Sequence, residues 1–441
     1  MSASTEALRS PNAVSLVQDT VFRRARGALT RAVHRVDDVL SRLGRGDVRV
    51  LFEAASPMSL AVFQPVLERL QRDPRFEFWF TSCDRRWTPQ SIFGRSGISE
   101  RIVSPSDARW MKFDAYVNTD FWNITWLPRR TQRVHLFHGV AGKYDLDAPV
   151  AIAPVVTAFD RLLFPNRDRV RRYAEAGLVD VGSRQAALVG YPKVDCLVDG
   201  SLDRCAIQKA LGLDPTLPTV LYAPTWSPYS SLAMMGEAIV EALCRLDVNV
   251  LVKLHDRSTE PTTRGSGGID WRARLDRASI HVASNSNASP SLFVADALVT
   301  DHSSVGFEFM LLDRPIVVVD CPRLIGHARV NPQKVELLRS AAEVASGADE
   351  IGPSVRRALE RPRRHSERRK ATADELFYRP GGATARAVEC IYELLSLPAP
   401  TGASTGSLRA DPPLSGTSDV PEYLSSAPGS VSSDPAIVPT P

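Results

Sequence analysis

The chain has 441 residues, 44% of them hydrophobic, with 54 Lys and Arg against 50 Asp and Glu and a formal net charge of +4. That length favours two or three domains with substantial cores and excludes a small stapled module, and so small a charge does not demand nucleic acid as a partner. The six cysteines, Cys83, Cys196, Cys205, Cys244, Cys321 and Cys390, form no Cys-x-x-Cys pair, which argues against a zinc site or a disulfide framework and fits a reducing cytoplasm.

No segment reaches the roughly 20 apolar residues that span a bilayer, and the N-terminus lacks the charged-then-apolar order of a secretory signal. The chain is expected to be soluble or surface-bound. Residues 1–46 form an extension in which Phe22, Leu29, Val33, Val36, Leu40 and Leu43 recur at spacings near three and four, on one helical face. Arg23, Arg24, Arg26, Arg31, Arg35 and Arg42 surround that stripe. A basic amphipathic helix over 21–43 suits an anionic membrane surface, and equally a helix packed on the body of the protein or on a second subunit.

From residue 47 the pattern alternates. Short apolar runs predict strands over 49–52, 76–80, 114–118, 133–137, 160–164 and 186–189, with helices over 60–72 and 168–176. The rhythm restarts after Asp195: strands over 219–223, 248–254, 280–283, 297–300 and 315–319, helices over 206–211, 233–246 and 305–312. Repeated βα units predict two mostly parallel sheets covered by helices, with ligands at the carboxyl ends of the strands. We place the domains at 47–195 and 196–396. From Leu397 to Pro441 the chain is dominated by Pro, Ser, Ala, Gly and Thr, a composition that cannot offset the entropy of ordering and predicts a disordered tail.

Chemistry-bearing residues cluster at predicted strand ends. After the strand at 297–300 come Asp301, His302, Ser303 and Ser304, opening a helix that carries Glu308 one turn on. A helix N-terminus with two hydroxyls is a seat for a phosphate, although Ser and Thr also cap helices in any α/β protein. His138-Gly139-Val140-Ala141-Gly142-Lys143 follows the strand at 133–137: an imidazole able to take a proton, glycines that admit close backbone approach, and a cation. Tyr222-Ala223-Pro224-Thr225-Trp226-Ser227 and Lys253-Leu254-His255-Asp256 end two further strands. Gly190-Tyr191-Pro192-Lys193-Val194-Asp195 marks the turn between the two units and reads as a hinge.

In this order and spacing, the five motifs resemble the CDP-glycerol glycerophosphotransferase family, the primases and polymerases of teichoic acids and capsule polymers. The resemblance runs from the strand before His138 to Ala387 and takes in Phe377-Tyr378-Arg379-Pro380-Gly381-Gly382 near the end. It implies a GT-B architecture, two Rossmann-like domains facing a cleft, with the nucleotide held mainly by the second and the last helix crossing back to the first. It implies transfer of phosphoglycerol from CDP-glycerol to a hydroxyl of an envelope polymer or lipid-linked primer, with release of CMP, on the inner face of the cell membrane. His138 would be the base, with Gly139 and Lys143 in its loop. His255 would join it in the chemistry, and Thr225, Lys253, Thr300, Asp301, Ser303, Ser304 and Glu308 would surround the donor phosphates.

This chain departs from the family pattern at Val140 and Ala141 for Thr-Pro, Ser227 for Arg, Asp256 for Pro, His302 for Tyr and Glu308 for Asp. Ser227 and Asp256 weaken the positive field expected near phosphates. Another nucleotide donor in a GT-B glycosyltransferase, an epimerase-like reaction and a catalytically silent nucleotide-binding scaffold are the alternatives. No Asp, Glu and His set at ligand spacing marks a metal site, and a divalent cation with the diphosphate is compatible with the pattern.

Overall fold

The computed structural model describes residues 25, 27–36, 39, 47–84, 87–94, 97, 98, 100–121, 127, 130–141, 153–259, 268–275 and 279–399. Phe22, Arg23, Arg24, Arg26, Leu40, Arg42 and Leu43 of the amphipathic stripe, Lys143, and the tail from 400 lie outside them.

Two six-stranded, all-parallel sheets make up one compact unit. The first contains β1 (Val48–Glu53), β2 (Phe76–Thr81), β3 (Ala115–Asn118), β4 (Gln132–Leu136), β5 (Arg161–Phe164) and β6 (Ala186–Leu188), in the order β2-β1-β3-β4-β5-β6. The second contains β7 (Thr219–Tyr222), β8 (Asn249–Val252), β9 (Ile280–Val282), β10 (Ala297–Thr300), β11 (Ile316–Val319) and β12 (Glu343–Ala345), in the order β12-β11-β10-β7-β8-β9. Strand order reverses beside β1 in the first sheet and beside β7 in the second. These are the switch points at which doubly wound sheets hold ligands, β1/β3 in one and β7/β10 in the other.

The strands read as apolar runs because helices cover both faces. In β1, Val50 and Phe52 join one core cluster with Phe63 and Phe78, while the intervening Leu51 joins Phe113, Tyr116 and Phe164 on the other face. The rings of Phe52 and Phe63 lie 4.9 Å apart. The strands expected from sequence are present, with ends shifted by up to two residues. Strand β12 is not expected from sequence, because its three residues, Glu343-Val344-Ala345, open on a charge and make no apolar run.

The lobes are tied together at several places, two of which involve the segment after the first sheet and the last helix. The 3₁₀ segment Pro192–Leu197 follows the first sheet, and Gly190 just before it has φ +91. A Cβ there would stand 2.5 Å from the carbonyl oxygen of Tyr378, so only glycine fits. Asp195 accepts hydrogen bonds from the backbone N–H groups of Gly381, Ala383 and Thr384, at 2.8, 3.1 and 2.6 Å, and so caps the last helix, Ala383–Leu394. That helix packs on the first lobe: Tyr392 meets Phe76 edge-on at 5.5 Å and donates to Asp73 at 2.7 Å. The segment read as a hinge is thus a buried junction. The start of the predicted tail is also corrected: Leu397 N–H donates to Tyr392 O at 2.9 Å and Pro398 O accepts from Arg75 at 2.8 Å, because these residues still cover the first lobe.

Candidate active site

At the first switch point, the carboxyl ends of β1, β3 and β4 bring together Glu53, Asp120 and His138. Phe137 anchors the turn by packing 4.9 Å from Phe164, and the next side chain, His138, emerges 52% exposed. Its Nδ1 lies 2.8 Å from the Thr119 carbonyl oxygen. A carbonyl only accepts, so Nδ1 carries the proton and the Nε2 lone pair is left to take another. Asp120 Oδ1 stands 3.4 Å from the same Nδ1 and would face an imidazolium. The Asp120 carboxylate is itself positioned by the hydroxyls of Ser59 and Thr119, each 3.1 Å from Oδ2.

Behind them Tyr116 donates to Glu53, and Asn118 Nδ2 donates to the Tyr116 oxygen at 3.0 Å. Burial pushes the Glu53 carboxyl above the usual range, and the nearby Asp120 charge acts in the same direction. His135 is a second imidazole of a different kind. It is buried, 3.8 Å from the Phe121 ring and 2.9 Å from Asn118 Oδ1, and burial holds its pKa well below the ordinary value. It stays neutral and structural, while His138 faces outward.

Sequence reasoning singled out His138 but not Glu53, Ser59 or Asp120, which the structure sets close to it. The one signal was a carboxylate closing an otherwise apolar strand, Val48 to Glu53, and polar residues after Val117. A Cβ built on Gly139 would meet nothing within 4 Å, so packing does not require glycine there.

At the second switch point the expected residues divide into two groups. Thr300 Oγ1 donates to Ala223 O at 2.6 Å, inside the protein. Asp301, 0% exposed, accepts from Thr225 N at 2.9 Å and from both N and Oγ of Ser231 at 3.0 Å. Glu308 is buried in an ion pair with Lys193, whose Nζ lies 2.8 Å from each carboxylate oxygen. These three side chains are corrected from phosphate contacts to framework, because their polar atoms are already engaged by the protein. Asp301 shapes the 224–231 loop, and Glu308 pins the junction segment.

Ser303 is the N-cap of the helix Ser304–Met310 and makes no side-chain capping bond. Both hydroxyls lie at the carboxyl end of β10, next to Thr225 after β7. Lys253, after β8, is buried, and its Nζ donates to Leu254 O at 2.7 Å. Burial pushes its pKa down while the Asp256 charge opposes that shift, so Asp256 helps to keep the ammonium protonated. His255 Nδ1 accepts the Arg257 N–H at 3.2 Å. Its neutral ring therefore carries the proton on Nε2, the reverse of His138. Among the described residues, no group of three or more His, Cys, Asp or Glu side chains could hold a metal ion.

Two doubly wound lobes, with an exposed imidazole at the switch point of one and hydroxyls, lysine and imidazole at that of the other, define a GT-B-type α/β protein. Residues 112–321 match the family described as CDP-Glycerol:Poly(glycerophosphate) glycerophosphotransferase. A teichoic acid poly(glycerol phosphate) polymerase of Bacillus spizizenii is 22% identical over 339 residues, covering 68% of this chain and 81% of the relative. One of Staphylococcus epidermidis is 28% identical over 163 residues, covering 36% of this chain, which spans only 22% of that relative's length. Among solved structures, the wall teichoic acid polymerase TagF superposes with a TM-score of 0.63 at 16% identity, covering 88% of this chain and 99% of the other. A UDP-GlcNAc 2-epimerase of Methanocaldococcus jannaschii gives 0.52 at 13% identity, over 79% of this chain and 99% of that one. These two likenesses concern the fold.

Proposed function

We propose that the chain transfers a phosphoglycerol unit from CDP-glycerol to a hydroxyl of a cell-envelope polymer or its lipid-linked primer. The observation that carries this reading is His138, whose Nδ1 is fixed as a donor so that Nε2 is a base. The acceptor O–H gives its proton to Nε2, its oxygen attacks the distal phosphorus of CDP-glycerol, and the bond to the CMP phosphate breaks. Asp120 faces the imidazolium that forms. Glu53 lies behind them, its carboxyl raised above the usual range by burial. The first lobe binds the acceptor and the second the donor, with Ser303, Ser304, Thr225, Lys253 and the Nε2–H of His255 directed to the phosphates, where charge builds up.

The same reading places the enzyme on a membrane surface. No helix among the described residues is long and apolar enough to cross a bilayer. Residues 27–36 are helical, His34 Nε2 lies 3.0 Å from Arg109 O, and Leu29, Val33, Val36 and Val39 are 57, 36, 60 and 56% exposed. An outward apolar stripe with flanking arginines suits anionic lipid. Removing residues before Asp47 should abolish binding to anionic vesicles with the body still folded, and undiminished binding would remove this role.

The test of turnover is nucleotide release from CDP-glycerol, other CDP-polyols and UDP-sugars in the presence of a lipid-linked acceptor, with His138→Ala as control. CMP release from CDP-glycerol that vanishes in the variant supports the proposal. Release from another donor alone replaces the substrate, and binding without release from any donor leaves a scaffold.

A further inference from the structure

We propose that the exposed arginines Arg356, Arg361, Arg363 and Arg368 form a surface that holds the envelope polymer, a phosphodiester chain, at a distance from the point of transfer. The proposal rests on the polymer-acceptor reading above and adds a surface outside both switch points. Residues 356–370 carry eight Lys and Arg against two Glu, a surplus of six, whereas the whole chain has a surplus of only four. The rest of the chain is therefore net acidic by two, and the positive surplus is concentrated in one stretch.

That stretch joins the helix Ile351–Glu360 to the helix Ser366–Leu376, and its cations fall into two rows. The inner row is tied down: Arg357 and Arg364 pair with Glu343 at 3.5 and 2.9 Å, and Arg369 and Lys370 pair with Asp313 at 3.0 and 3.4 Å. Glu343 opens β12 and Asp313 stands just before β11, so both mark the amino edge of the second sheet, opposite the carboxyl ends that carry Thr225, Lys253, Ser303 and Ser304. The outer row, Arg356, Arg361, Arg363 and Arg368, is exposed, and its side chains make no hydrogen bond or ion pair with the described residues. None of the exposed large hydrophobic side chains among the described residues falls in this stretch, so it offers charge without an apolar wedge for a bilayer. That profile fits a soluble polyanion better than a lipid anchor.

The second of these helices leads back to the point of transfer. Asn166 Nδ2 donates to Leu376 O, at the carboxyl end of the helix, at 3.0 Å, and to Val140 O, two residues beyond His138, at 2.9 Å. Eleven helical residues run from there to Ser366, about 16 Å of axis. A primer-length acceptor stays in the cleft, whereas a long polymer extends far enough to meet the arginines. Phosphates repeated along one chain then engage several guanidinium groups at once, and weak single contacts reinforce one another.

The experiment measures binding of the full chain to labelled poly(glycerol phosphate), to a short glycerol phosphate oligomer and to phosphatidylglycerol vesicles over a range of salt concentrations. One variant combines Arg356→Gln, Arg361→Gln, Arg363→Gln and Arg368→Gln, and a companion places Lys at the same four positions. A control removes equal charge elsewhere, through Arg72→Gln, Arg184→Gln, Lys209→Gln and Arg245→Gln, all at exposed positions. The Gln variant should bind the polymer about tenfold or more weakly, with a shallower salt dependence, and bind the short oligomer unchanged. The Lys companion should keep most of the polymer affinity, and the control should match the unaltered chain. Equal losses in the Gln variant and the control, no loss on the polymer, a loss on vesicles as large as that on the polymer, or no polymer binding by the unaltered chain each overturn the proposal. Turnover of CDP-glycerol on the short oligomer is followed in the same samples. Arginine-dependent polymer binding without turnover leaves the surface standing and removes the transferase reading, while turnover with polymer binding indifferent to the four arginines removes the surface alone.

Discussion

Lys193 and Glu308 form a buried ion pair between the junction segment and the helix that opens at Ser304, with Nζ equidistant at 2.8 Å from both carboxylate oxygens. Side chains only 4% and 3% exposed have little water to replace a lost partner. Ser289 Oγ also donates to Lys193 O at 3.2 Å, which anchors the backbone beneath the pair.

Removing one partner strands the other charge. Glu308→Gln or Lys193→Met should each cost about 3–5 kcal/mol, read from urea denaturation. The double change Lys193→Met with Glu308→Leu should cost clearly less than the sum, because no unpaired charge remains. Additive losses would mean that the two charges do not act as a pair.

Asp301 organises rather than touches. Asp301→Ala leaves the N–H groups of Thr225 and Ser231 without their acceptor, and should destabilise by about 2–4 kcal/mol. Hydrogen exchange localises the effect: the Thr225 and Ser231 amides should lose protection more than those of β1 or β3. Uniform loss across both lobes would contradict a local role.

With His138 as the proposed base acting on the acceptor, His138→Asn should lower turnover by about 10²–10⁴-fold, with CDP-glycerol affinity within twofold of the wild type. Asp120→Asn should lower kcat by a smaller factor and leave the donor KM unchanged. A variant in which donor KM rises while kcat holds would place these residues in donor binding instead.

Asp73 gives the fold an acid-sensitive joint. The Arg75 guanidinium, helped by the Tyr392 hydroxyl, holds its carboxyl down at about 2. Folding lowers this pKa, so the ionised form favours the folded state. The contribution is complete above about pH 4 and is lost as pH falls toward 2. Arg75 is 37% exposed, so screening trims the effect to about 1–2 kcal/mol. Denaturation midpoints measured between pH 5 and 2 should fall less steeply in Asp73→Asn than in the wild type.

Much of this architecture is legible in the sequence because parallel strands buried on both faces leave uninterrupted apolar runs, such as Ile316 to Val319. His138 is legible for a related reason: a polar residue directly after such a run stands at a carboxyl edge. The side-chain partners there are not legible. Thr300, Asp301 and Glu308 share the polarity and spacing of ligand contacts, yet each turns inward to hold a loop or a lysine, and linear spacing does not distinguish the two directions. Asp120 stands beside His138, 18 positions away in sequence, a neighbour that only the sheet order brings close. The amphipathic stripe was visible as periodicity, whereas the outward orientation of Leu29 and Val36 depends on what the rest of the chain leaves uncovered.

The last helix carries a consequence for how the protein is made. Ala387, Ile391 and Tyr392 complete the core around β2 and the helix Pro57–Leu70, although they are synthesised more than 300 residues later. A nascent chain emerging from the ribosome therefore holds its first sheet with an apolar flank uncovered until the second lobe has been translated and residues 383–394 swing back. The first lobe cannot finish before the last helix is made, so a chain interrupted anywhere before Ala383 leaves that lobe with its flank uncovered.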